Sequence, residues 1–272
     1  MCGIVGIFRT KQSIISTEKT LDSLYSLYNY SQSRGIDSSG VAVKNSKEIL
    51  IVRDSISASK LLKSKRFNKL VKENIDDLKL IGHARMETNG SFALDHNNQP
   101  VVKDDSVVIH NGIIVNDKEI WSKFPDIKRL YEVDTEVINS LIKKEFTKTS
   151  DFWKSLKETL HIVNGSYSLG ILFNKIGISI FTTNTGSIYY LKSDDNSFVL
   201  IGSEYHYLEK ILNKDLAEYK DHLSIYHLSP DKVLGIIEKN KSQIIKEFFV
   251  DDTNTTSFDK YKKPVISVVS NT

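Results

Sequence analysis

A single cysteine among 272 residues leaves no partner for an intramolecular disulfide and puts a thiolate metal cluster out of reach. No apolar run approaches the roughly 18 residues that a membrane-crossing helix needs. The opening Met1-Cys2-Gly3-Ile4-Val5-Gly6-Ile7-Phe8 is apolar but short, without a basic leader or a small-residue cleavage site, so it does not read as a signal peptide. Charge of one sign is scarce as well. The 37 basic and 34 acidic residues leave a net +3, too little to steer nucleic acid over distance. Phosphate-loop and dinucleotide fingerprints are missing, and His222 and His227 lack the His-Glu-x-x-His spacing of zinc hydrolases. These absences predict a soluble, cytoplasmic protein with no metal, no cofactor, no nucleic-acid partner and no membrane partner.

What is present is ordinary globular composition, 40% hydrophobic and 26% charged, in a chain long enough to bury a sizeable core. Residues 2–8 read as a buried strand, and Leu21, Leu24, Tyr25 and Tyr28 sit at helical spacing over 18–32. Residues 34–40 are turn chemistry, followed by strands at 40–44 and 48–53 joined at Asn45-Ser46-Lys47. One solvated amphipathic helix is expected over 57–73, then strands at Ile81 and Val107–Ile109, each ending at a histidine. Helices follow at 134–146 and 151–160, then several strands to about 249 with one helix near 204–213. Strand runs interrupted by helix pairs argue for an α+β layered domain over residues 1–250, with 251–272 as an extended tail in which Val265–Val269 can pair as a short strand.

Cys2 is the most informative residue. A cysteine is usually a small buried hydrophobe, but one that follows Met1 becomes the N-terminal residue when the initiator is removed. A free thiol of pKa near 8.5 is mostly protonated at neutral pH, whereas an α-amine of pKa about 7.7–8 can take its proton. Nucleophile and base then reside in one residue.

Further segments give this position company. Met1–Phe8 resembles the opening of the class II glutamine amidotransferases, a branch of the N-terminal-nucleophile hydrolases. Ser33-Arg34-Gly35-Ile36-Asp37-Ser38-Ser39-Gly40 is similar to that family's Arg-Gly-x-Asp-Ser-x-Gly turn. Gly82–Gly90 resembles its His-x-Arg-Trp-x-Thr-x-Gly segment, His110-Asn111-Gly112 its His-Asn-Gly, and Asp134-Thr135-Glu136-Val137 its Asp-Thr-Glu-Val. The wording is nearest to the glutaminase domain of glucosamine-6-phosphate synthase, and the resemblance covers most of residues 1–205.

The resemblance implies a four-layer αββα sandwich and hydrolysis of L-glutamine to L-glutamate and ammonia. Cys2 would be the catalytic nucleophile, with Asn111 and Gly112 stabilising the oxyanion. Arg85 would clamp the substrate α-carboxylate and Asp134 its α-ammonium. Thr88 and Gly90 would line the same pocket, and Arg34 would hold the loop beside Cys2. Bland readings stand beside these: Arg85 and Asp134 as a structural ion pair, Asn111-Gly112 as a hairpin turn, Asp134 as a helix N-cap. Met86 departs from the family's tryptophan, Glu87 adds a carboxylate, and Asn89 replaces a histidine. The sequence holds no recognisable synthase region, so the expected partner is a separate synthase or acceptor subunit that takes the ammonia. Two alternatives remain: another amide hydrolase of the superfamily, and a catalytically silent glutamine-binding or scaffold protein.

Overall fold

The computed structural model describes residues 2–86, 94–239, 242–251 and 265–269. Its first strand explains the layering. In β1 (Gly3–Arg9), Val5 and Ile7 face one way and Ile4 and Phe8 the other, and all four are buried. A strand apolar on both faces must be covered on both.

The chain continues through α1 (Thr17–Ser31), β2 (Ser38–Lys44), β3 (Glu48–Asp54), α2 (Ala58–Lys63), α3 (Lys65–Asn74) and β4 (Lys79–Arg85). It then forms β5 (Val101–Lys103), β6 (Ser106–Ile114), α4 (Asp117–Lys123), α5 (Glu136–Thr149), α6 (Phe152–Ile162), β7 (Gly165–Phe173) and β8 (Ile178–Thr183). The remaining elements are β9 (Tyr189–Ser193), β10 (Phe198–Gly202), α7 (Tyr205–Lys214), β11 (Leu223–His227), β12 (Lys232–Lys239), β13 (Ser242–Phe249) and β14 (Val265–Val268).

One sheet has eight strands in the order β11-β9-β10-β1-β4-β2-β3-β14, and the other six in the order β13-β12-β8-β7-β6-β5. Three apolar clusters fill the spaces between layers. Val5, Ile7 and Leu80 of the first sheet pack against Leu24, Leu27 and Tyr28 of α1 and Phe67 of α3. Ile4, Phe8 and Ile81 meet Ile109, Leu172 and Phe181 between the sheets. Val108 and Ile171 of the second sheet pack against Val137 and Leu141 of α5 and Leu156 of α6. Helix, sheet, sheet, helix is the order, the αββα sandwich.

Helix α1 starts where Ser16 caps it, its side chain accepting from Lys19 N–H at 3.1 Å. The single helix expected over 57–73 is two. Ser64 adopts an extended conformation (ψ 141°), which ends α2, and its hydroxyl caps α3 by accepting from Phe67 N–H. Ser38–Gly40 are not turn but the start of β2, paired with His83–Arg85 of β4. Nor do the strands stop at their histidines. β4 runs to Arg85 and β6 to Ile114, so His83 and His110 lie inside the ladders. Val265–Val268 pairs in parallel with β3, which makes part of the expected tail an edge strand.

Candidate active site

Residue Gly3 of β1 pairs with Ala84 of β4, which carries Cys2 to the end of β4 beside Arg85 and Met86. The Cys2 thiol lies against the Met86 backbone, 3.4 Å from its N–H and 3.5 Å from its carbonyl. Cys2 N–H donates to Asn111 Oδ1 at 2.9 Å, and Arg34 Nε donates to the Cys2 carbonyl at 2.9 Å. Arg34 is itself paired with Glu204 at the start of α7. Burial pushes the Cys2 thiol pKa up, outweighing the Met86 hydrogen bond and the nearby Arg85 and Arg34 cations. A thiol so placed stays protonated at neutral pH unless a base relieves it.

Asn111 and Gly112 do not form a hairpin turn; they continue β6, opposite Ser168 and Tyr167 of β7. Gly112 has φ 148°, and a Cβ there would lie 2.0 Å from the Ser166 carbonyl oxygen. Only glycine fits this backbone. Because Asn111 Oδ1 faces Cys2 N–H, its amide NH2 is turned elsewhere, and no described residue accepts a hydrogen bond from it.

Two residues along, Ile114 N–H donates to Asp134 Oδ2 at 2.7 Å. The Asp134 carboxylate therefore binds the strand and does not cap α5, which begins at Glu136 behind Thr135. The other carboxylate oxygen is 3.9 Å from His110 Nδ1, which also meets the Thr135 hydroxyl at 3.2 Å. Burial holds the His110 pKa below its ordinary value despite Asp134, so the imidazole is neutral. Arg85 is buried and donates from Nη1 to Asn98 Oδ1 at 2.9 Å. His83 Nε2 donates to the His110 carbonyl at 3.0 Å, leaving its buried Nδ1 without a partner among the described residues. Burial, reinforced by Arg85, lowers the His83 pKa to about 3.

The structure thus brings Cys2, Arg34, Arg85 and Asn111 together, with Gly112 next on β6 and Asp134, ahead of α5, bonded to the same strand. Thr88, Gly90, Glu87 and Asn89 lie outside the described residues. Sequence reasoning missed Glu204 and Asn98, the partners of Arg34 and Arg85. It also missed Ser203, whose hydroxyl accepts from Ile4 N–H at 2.8 Å and pins the start of β1. Glu204 follows directly on a buried serine at the end of β10, which was its only local signal. Among the described residues no group of three or more His, Cys, Asp or Glu is placed to hold a metal ion. No helix among them is long and apolar enough to cross a membrane.

A buried cysteine has its backbone nitrogen on an asparagine amide between two sheets sandwiched by helices, and the chain is similar to class II glutamine amidotransferase domains, with the N-terminal-nucleophile hydrolase fold. Residues 83–210 match the protein family described as "Glutamine amidotransferase domain". The chain is 26% identical over 247 residues to a glutamine–fructose-6-phosphate aminotransferase (isomerizing) of Oceanobacillus iheyensis, covering 90% of this chain and 37% of that protein. It is 28% identical over 242 residues to an amidophosphoribosyltransferase of Methanocaldococcus jannaschii, covering 84% of this chain and 49% of the relative. The chain therefore spans less than half the length of these curated relatives. The structure of the glutamine phosphoribosylpyrophosphate amidotransferase from B. subtilis superimposes with a TM-score of 0.64 at 17% identity, covering 93% of this chain and 50% of that one. That likeness is one of fold.

Proposed function

We propose that residues 1–250 form a glutaminase domain that hydrolyses L-glutamine to L-glutamate and ammonia, with Cys2 as nucleophile once Met1 has been removed. The observation that carries this reading is the 2.9 Å contact between Cys2 N and Asn111 Oδ1, with the Asn111 NH2 left to donate. Removal of Met1 turns that nitrogen into an α-amine on the residue that bears the thiol. The amine takes the thiol proton, which burial otherwise retains. The sulfur attacks the side-chain carbonyl carbon of glutamine, and the oxyanion is met by Asn111 Nδ2 and the Gly112 N–H. Collapse of the tetrahedral adduct breaks the C–N bond. The α-ammonium returns its proton to the departing nitrogen, which leaves as ammonia. Water then attacks the γ-glutamyl thioester, releasing glutamate and restoring the thiol.

Arg85 is assigned to the α-carboxylate and Asp134 to the α-ammonium; two opposite charges distinguish an α-amino acid from a simple amide. Thr88 and Gly90 complete the pocket in this reading. Arg34 acts on Cys2, through its carbonyl. The ammonia passes to a synthase partner that is a separate chain, and amino-sugar synthesis is the favoured setting because of the aminotransferase relative.

The test is ammonia release from glutamine by protein confirmed to lack Met1, beside Cys2→Ala. Release that disappears in the variant supports the reading. Release that persists in the variant, or processed and folded protein that neither releases ammonia nor binds glutamine, sinks it.

A further inference from the structure

The segment that follows residue 94 crosses from one sheet to the other, and its three consecutive amide side chains each grip a different part of the site. Asn97, Asn98 and Gln99 are all buried. Arg53 of β3 holds the segment from below, donating from Nη1 to the carbonyls of Pro100 at 2.7 Å and Asn98 at 3.3 Å. On β2, Gly40 lets it pass close, since a Cβ there would lie 2.4 Å from the Gln99 carbonyl oxygen. This end rests on the first sheet.

The other end reaches the second sheet. Strand β5 pairs Val101 with Val108, and the same register would set Gln99 opposite His110, where the backbone ladder has already stopped. The Gln99 side chain continues it. Its Oε1 accepts from His110 N–H at 2.6 Å and its Nε2 donates to the His110 carbonyl at 2.9 Å. A primary amide matches the backbone N–H and C=O of one residue, as a neighbouring strand would. The residue so gripped is the one that leads into Asn111. Asn97 meanwhile donates to Glu132 Oε2 at 2.8 Å and accepts from Glu132 N–H at 3.2 Å, two residues before Asp134. Asn98 supplies the oxygen that receives Arg85 Nη1.

We propose that Asn97-Asn98-Gln99 is a positioning strap that sets the separation between Arg85 on one sheet and, facing it, Asn111 on the other sheet with Asp134 bound to that strand ahead of α5. The proposal rests on the glutaminase reading, because that reading assigns those three residues to substrate. The strap's amides touch no reacting atom. They hold, without adding charge of their own, the groups that read the carboxylate, the ammonium and the oxyanion.

The prediction is a split in steady-state constants that general loosening of the fold cannot produce. Asn98→Ala should raise KM for glutamine about tenfold with kcat within about threefold, since Arg85 loses its acceptor and ground-state binding suffers. Gln99→Ala should lower kcat about tenfold or more at nearly unchanged KM, since the Asn111 amide loses its placement on the oxyanion. Asn98→Asp keeps an oxygen before Arg85 but adds the charge that the amide lacks, which opposes the substrate carboxylate, so KM should stay raised with kcat little changed. Gln99→Glu turns an oxygen on the His110 carbonyl and should retain the kcat defect. These two near-isosteric variants carry the comparison if the alanine variants do not fold. Parent-like constants in the Ala variants, or a common loss of kcat with unchanged KM in both, overturn the proposal.

Failure of the underlying reading looks different. A parent that neither releases ammonia nor, as Cys2→Ala, binds glutamine by titration calorimetry overturns both. If glutamine binds without turnover, Kd takes the place of KM. Asn98→Ala must then weaken binding about tenfold and Gln99→Ala leave it unchanged; equal Kd values in the two variants overturn the strap.

Discussion

The two ends of the sandwich solve the same problem in opposite ways. Strands β2 and β4 run from one end to the other. At one end Ser38 pairs with Arg85; at the other lie Lys44 and Lys79. There Lys44 Nζ donates to Glu238 Oε1 of β12 and to the Ile176 carbonyl, both at 2.8 Å. Lys79 lies 3.4 Å from the second Glu238 oxygen and 3.0 Å from Asp77. Charge meets charge, and the sheets are locked together. At the Cys2 end Asn98, a neutral amide, accepts from Arg85, Gln99 holds the His110 carbonyl, and the Asn111 NH2 has no acceptor among the described residues. At one end the charged groups satisfy one another, and at the other the Asn111 NH2 is left without an acceptor among the described residues. On the glutaminase reading, the difference separates polar residues that stabilise from polar residues that meet substrate.

The comparison breaks most readily at Gly112. Gly112→Ala sets a Cβ against the Ser166 carbonyl, and displacement of β6 should cost on the order of a hundredfold in kcat, read from initial rates of ammonia release. Its counterpart at the far end is Glu238→Gln. Removing that charge from the buried cluster should cost about 3 kcal/mol in denaturant unfolding while kcat and KM of the folded protein stay put. A loss of activity in folded Glu238→Gln would blur the division between the ends. Arg85→Lys keeps the charge but loses the planar fork, and KM should rise about tenfold.

The pH dependence of stability sharpens the same contrast. Folded His83 refuses a proton down to about pH 3, whereas the unfolded chain takes one near 6.5. Between those values the unfolded state binds more protons, so this contribution is fully present above 6.5 and is lost as pH falls towards 3. His83→Gln, which retains a donor for the His110 carbonyl, should flatten the unfolding free energy across that window. The smallest effect is expected at the solvated pair Lys69 and Glu73, 4.0 Å apart on α3. Glu73→Ala should change stability by less than about 0.5 kcal/mol, measured by thermal melt.

Much of the architecture was legible because periodicity carries it. β1, α1, the β2–β3 hairpin and α6 announce themselves through alternation or helical spacing of apolar residues. The break at Ser64 was not legible, because a serine ends a helix only when its backbone turns extended, and the local sequence permits either course. The continuation of β4 and β6 past His83 and His110 was hidden for a related reason: polar residues inside a ladder look like its end until the facing sheet is known. Within the site, Cys2, Arg85, Asn111 and Asp134 stood out as motif residues. Their holders did not. Arg34 meets a glutamate 170 residues away, and Asn97, Asn98 and Gln99 follow no periodic pattern, because each answers to a different element.

The account turns on a covalent bond between Cys2 and the substrate. The direct test is rapid-quench mass spectrometry of the Met1-free protein during turnover of glutamine, with peptide mapping of the adduct. The account predicts a γ-glutamyl thioester on Cys2, absent from Cys2→Ala and from protein that retains Met1. Ammonia release without an adduct on Cys2, or undiminished release from the Met1-bearing form, would contradict it.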